Sequence, residues 1–132
     1  MGDFKKLDVW QAAHSLACDV YRDTADFPKT EVYGLTSQLR RSSAPIAANI
    51  AEGCGRSGDT EFSRFIRISL GSATELEYHL LLSRDIGLLD NEAYTRLSAQ
   101  ARRIQGMLAG LKRTLGTRRS KSHLQQPIAN SQ

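Results

Sequence analysis

Four blocks of apolar residues recur along this chain at helical spacing, and no stretch shows the strict alternation of a half-buried strand. In the second block Leu35, Leu39, Ile46, Ile50 and Gly53 fall within one arc of a helix, while Arg40 points to the opposite side. The third stripe, Phe62, Phe65, Ile66, Ser69, Ala73, Leu76 and Leu80, predicts a helix from about Thr60 to Asp85, capped by Asp59 or Thr60. Its small central residues predict a close crossing by a neighbouring helix. Arg64, Arg67, Glu75 and Tyr78 lie off the stripe and read as a solvated face.

The fourth block, about Glu92 to Leu115 and capped by Asp90 or Asn91, carries Leu97, Ala101, Ile104, Leu108, Leu111 and Leu115, with Gly116 as its stop. The first runs from about Asp8 to Ala25, with Trp10, Ala13, His14, Ala17, Val20, Tyr21 and Thr24 as its stripe and Asp8 and Gln11 forming a capping box. Four amphipathic helices joined by short connections predict an all-α, up-and-down four-helix bundle over residues 1–116. Residues 117–132 are polar, lack periodicity and contain Pro127, which predicts a disordered basic and polar tail. A chain of 132 residues suffices for one such domain with a core of its own.

The second helix is unusual because Ala44, Ala47, Ala48 and Ala51 lie opposite its aliphatic arc, where a solvent-facing helix would carry charge. Small side chains admit another backbone closely. They are the candidate interface of a homo-oligomer. Gln38, Arg41, Asn49 and Glu52 flank the arc as a polar seam. That seam suits either a ligand or RNA-base contact or a structural network in which Asn49 bonds across helices and Glu52 pairs with Arg41 or accepts backbone N–H groups from the next helix start; the structural network is the expectation adopted. Pro45 removes one donor and clashes with the Arg41 carbonyl, predicting a kink or short break near Ser42 to Ala44.

Candidate chemistry is sparse. Gly53-Cys54-Gly55-Arg56-Ser57-Gly58 spells a Gly-x-Gly-x-x-Gly, but it follows a helix rather than a strand, so a dinucleotide fold is rejected. It reads as a helix stop and turn. A phosphate held there with help from Arg56 would be opposed by Glu52. Cys18 and Cys54 have neither metal-ligand nor disulfide-framework spacing, and His14 has no nucleophile or carboxylate placed to use it. No enzyme activity, cofactor or metal is expected. No signal peptide or membrane span is legible, since no apolar run approaches the ~20 residues a span needs, and a cytoplasmic location is expected.

Charge changes the picture most. Residues 1–92 hold 10 Lys and Arg against 14 Asp and Glu, a net of −4. Residues 93–132 hold eight cations, Arg96, Arg102, Arg103, Lys112, Arg113, Arg118, Arg119 and Lys121, and no acid, which leaves the chain at +4. These eight are the candidate nucleic-acid-binding residues, acting on phosphate backbones; the plainer alternative is that they solubilise the fourth helix and pair with acidic helices.

Taken together, Leu7 to Gln11, Phe27-Pro28, Glu31, Tyr33-Gly34-Leu35, Gln38 to Arg41, Asn49 to Gly53 and Ser69 to Glu77 resemble the 23S rRNA intervening-sequence proteins over about residues 4–115. The resemblance implies a four-helix bundle assembled into a ring, typically a homopentamer. The same family includes accessory proteins of diversity-generating retroelements, which bind a reverse transcriptase and nucleic acid. One departure is Ala47, where the family usually has proline; Pro45 stands two residues earlier and displaces the expected kink. The function expected is that of a non-enzymatic oligomer binding RNA or DNA electrostatically. The alternative is an adaptor that holds a protein partner, such as a polymerase, without affinity for nucleic acid.

Overall fold

The computed structural model describes residues 2–124, with side chains described to residue 118. Four helices make up almost all of it: α1 (Asp8–Asp23), α2 (Leu35–Cys54), α3 (Asp59–Asp85) and α4 (Asn91–Leu124). Single 3-10 turns precede α1 at Phe4–Lys6 and lie between α1 and α2 at Lys29–Glu31. No strand occurs among the described residues. Each helix packs on the next, α4 returns to α1, and the diagonal pairs do not meet. This is the up-and-down four-helix bundle that the apolar periodicity predicts.

The stripes of α3 and α4 are buried as expected, Leu111 alone standing only partly buried. In α1 the buried arc is rotated: Val9, Ala13, Leu16 and Val20 are core, whereas His14 and Tyr21 are exposed and Trp10 is half-buried. Two adjacent apolar arcs compete on this helix, and the aliphatic one faces α2 and α4. The expected capping box is also absent. Asp8 is already helical, Leu7 holds the cap position, and the Gln11 side chain donates instead to the Lys5 carbonyl at 2.8 Å.

Glu31 starts α2. Its Oε1 accepts the Leu35 N–H at 3.0 Å, one of the donors a helix start leaves unpaired. Any Cβ at Gly34 would stand 2.5 Å from that oxygen, so glycine is required for the carboxylate to reach. Downstream, α2 runs unbroken through Pro45, and the break expected near Ser42 to Ala44 does not occur. The Ser42 and Ser43 hydroxyls bond the Gln38 and Arg40 carbonyls at 2.8 and 3.1 Å, and Asn49 Nδ2 bonds the Pro45 carbonyl at 2.8 Å. Side-chain donors thus solvate the backbone around the missing N–H.

Helices α2 and α3 cross closely, as the small centre of α3 predicts. Ser69 Oγ donates to the Ile46 carbonyl at 2.9 Å, and a Cβ on Gly53 would lie 2.8 Å from the Cβ of Phe65. Gly53 is therefore a packing residue in the last turn of α2, which stops at Cys54 with Gly55 as its cap, inside the glycine run that predicts the stop. Gly58 makes the turn with φ of 84° and holds the cap position of α3, where Asp59 or Thr60 was expected. At the next turn Asp90 accepts the Ala93 N–H at 2.8 Å and caps α4. Gly116 does not end that helix, which continues to Leu124. A single glycine costs only about 1 kcal/mol in a helix, and no proline follows until Pro127. The expected tail is thus helical over 117–124, and 125–132 lie outside the described residues.

Candidate nucleic-acid interface

The cations of α4 sort into two groups. Arg96 donates to Asp23 of α1 at 2.8 Å and to Glu92 at 3.4 Å. Arg102 donates to Glu77 of α3 at 3.0 Å, while Gln105 holds the other oxygen of that carboxylate at 3.0 Å. Arg118 forms a two-pronged pair with Asp59, the first residue of α3, its Nε at 3.0 Å. The hydrogen bond to Asp23 holds the Arg96 guanidinium above the ordinary arginine range against a smaller desolvation effect, and that to Asp59 does the same for Arg118. These three arginines tie helices together. Their charges are locally neutralised by the bundle's own acids.

Arg103, Lys112 and Arg113 are exposed and have no carboxylate partner among the described residues. Arg103 lines a polar cleft between α1 and α4 with Asp8, Gln11, Ser15 and Gln100. Lys112 and Arg113 line a groove between α4 and α3 with Ser63, Leu70, Ala109 and Gly116. Arg67 of α3, four residues after Ser63 and three before Leu70, falls on the same helix side and is exposed without an ion pair among the described residues. The sequence reading assigned Arg67 to an ordinary solvated face. Its neighbour Arg64 does behave so, pairing with Glu61 at 3.3 Å. The side chains of Arg119 and Lys121 lie outside the described residues.

The polar seam of α2 does not form as a network. Asn49 bonds within its own helix, and Glu52 pairs with Arg56 at 2.8 Å rather than with Arg41, which has no ion pair among the described residues. Gln38 and Arg41 are exposed. On the alanine face, Ala44 and Ala48 are exposed and Ala51 is half-buried, but Ala47 belongs to the core. Its side of α2 is the one that meets α1, where Arg40 also reaches back to donate to Thr24 Oγ1 at 3.0 Å and stacks over Tyr21.

The glycine turn gives no free anion site. A small recess there is lined by Cys54, Arg56, Gly58, Asp59, Phe62 and Arg118, but Arg56 is paired with Glu52 and Arg118 with Asp59. Cys54 is buried and bonds the Gly2 carbonyl at 3.4 Å, holding the N-terminal arm. Exposed His14 stacks on Trp10 with ring centroids 4.9 Å apart, and its Nε2 lies 3.7 Å from Cys18 Sγ. Among the described residues no group of three or more His, Cys, Asp or Glu is placed to hold a metal ion, and no helix is long and apolar enough to cross a membrane.

An antiparallel bundle with cationic helix faces defines the class: a small all-α protein whose polar features lie on its helix surfaces and in the open grooves between neighbouring helices. The sequence matches the family model of the 23S rRNA-intervening sequence protein over residues 5–110, and the chain belongs to that family. Among solved structures, it is similar to a protein from Bacteroides thetaiotaomicron described as of unknown function and from the S23 ribosomal protein family. The two superpose with a TM-score of 0.72 at 22% identity, over 79% of this chain and 97% of the other. That likeness speaks for the fold alone. None of the curated proteins matches the chain.

Proposed function

We propose that this protein is a non-enzymatic homo-oligomer that binds nucleic acid, RNA or DNA, electrostatically. The observation that carries the reading is the absence of any acid after Glu92, against eight cations there. Three of those eight are consumed in ion pairs with other helices, yet Arg103, Lys112 and Arg113 are exposed and have no ion pair among the described residues. Uncompensated cations on a scaffold with few exposed aromatics favour phosphate contacts over base readout, so the binding is weakly selective for sequence.

Assembly supports the same reading, because a ring repeats each cationic surface. The exposed alanines Ala44 and Ala48, with half-buried Ala51, form a smooth strip on which a second copy can pack, and the stoichiometry proposed is the pentamer that the resemblance implies. The test is affinity for an unrelated RNA and an unrelated DNA across a salt series, with light scattering on the same samples. A second reading, that of a protein adaptor, is favoured by Val32, Tyr33 and Ile86, which are 52%, 95% and 56% exposed near the α1–α2 and α3–α4 turns. A partner retained after nuclease treatment, with no affinity of the purified protein for RNA or DNA, would select it.

A further inference from the structure

Resting on the nucleic-acid reading, we propose that the groove between α3 and α4, lined by Lys112 and Arg113 and flanked by Arg67 one turn after Ser63, seats the sugar-phosphate backbone of one nucleic-acid strand. The groove is the place where cations gather without acids. Toward the turn between α2 and α3, Asp59 and Glu61 are committed to Arg118 and Arg64. Toward the other end, Glu77 is committed to Arg102 and Gln105. Between these pairs the α3–α4 surface presents Arg67, Lys112 and Arg113 with no carboxylate paired to them among the described residues. Like charges gathered in this way repel one another in the free protein, and a polyanion removes that repulsion.

The floor fits the same occupant. Ser63, Ala109 and Gly116 leave it low, and Leu70 gives it an apolar wall that strengthens the field of the rim charges. Gly110 lies alongside, where an added Cβ would meet only Arg113 Nη2 at 3.8 Å, so the Arg113 guanidinium lies back along the helix over that glycine. No aromatic side chain lines the groove, so the bases point outward and are not read.

The experiment compares three forms of the full chain by fluorescence anisotropy with a labelled oligouridine, over a series of salt concentrations. They are the wild type, the groove variant Arg67→Gln/Lys112→Gln/Arg113→Gln, and the charge-matched control Lys5→Gln/Lys6→Gln/Lys29→Gln. Circular dichroism and light scattering verify that each keeps the wild-type fold and mass. Losing three single-strand phosphate contacts should lower the salt slope by about 2 and weaken binding by roughly tenfold or more, while the control loses far less.

Equal losses in groove and control variants would overturn the groove while leaving nucleic-acid binding intact, since net charge alone would then account for affinity. A groove variant that bound like wild type would do the same. A groove variant of altered mass would assign these residues to assembly and also overturn it. If polyglutamate bound the wild type more tightly than the RNA at equal charge concentration and lost that affinity in the groove variant, the groove would belong to an acidic protein segment instead. Absence of wild-type binding at low salt would overturn the nucleic-acid reading itself, and the groove with it.

Discussion

Gly53 of α2 faces Phe65 of α3 so closely that a Cβ on the glycine would stand 2.8 Å from the Cβ of the phenylalanine, and 2.9 Å from a ring carbon of Phe62. There α2 offers only backbone, and the Phe62 and Phe65 side chains of α3 pack directly against it. Gly53→Ala should therefore destabilise the bundle even though alanine is the better helix former. Overpacking of this kind costs about 1–3 kcal/mol, against roughly 1 kcal/mol recovered from helix propensity. Urea denaturation should show a lower midpoint for the variant; an unchanged or higher one would mean that α3 shifts away without cost.

Asn49 and Glu52, three residues apart on α2, should differ in their effect on stability. Asn49 is partly buried and solvates the Pro45 carbonyl, so Asn49→Ala should cost about 1 kcal/mol. Glu52 is exposed and makes a surface pair with Arg56 one turn away, so Glu52→Ala should change stability by no more than about 0.5 kcal/mol. Thermal melts of the two variants check the order. Equal and large losses would restore the buried network that the sequence suggested.

The alanine strip makes a sharper prediction now that Ala47 is known to be core. Ala48→Glu should dissociate the oligomer into folded 14.6 kDa monomers, because assembly would bury a charge without a partner. Ala47→Glu should instead unfold the bundle. Light scattering and circular dichroism on both variants separate these outcomes, and a wild type that stayed monomeric at micromolar concentration would remove the oligomer altogether.

Glu31→Ala should shorten the start of α2 by exposing the Leu35 N–H, at a cost of about 1 kcal/mol typical of a lost cap. Gly34→Ala should behave similarly, since its Cβ would displace the same carboxylate. Faster amide exchange at Leu35 and Thr36 in both variants, with the rest of α2 unchanged, is the expected signature.

How far the sequence was legible depends on the range of the interaction. The stripes of α3 and α4 depend on residues a turn or two apart, and they were read almost residue by residue. For α1 the periodicity offered two neighbouring arcs, and only the positions of α2 and α4 select Leu16 over Trp10 and His14. The sorting of cations was beyond sequence reading, because Arg96 meets Asp23 and Arg118 meets Asp59 across 73 and 59 residues of chain. With those pairs hidden, eight equivalent charges were expected where the fold leaves a smaller unpaired set and adds Arg67 from α3. Gly116 shows the limit of a local stop signal: one glycine with helix-compatible neighbours does not end a helix.

Electrostatic binding of nucleic acid stands or falls on the affinity of the intact wild-type protein for one RNA and one DNA of unrelated sequence between about 50 and 200 mM salt. Binding to both is expected at the low end with similar affinity, with a linear fall of log K with log salt that reveals several released counterions. No detectable binding at the lowest salt, or an affinity that holds steady as salt rises, would contradict it.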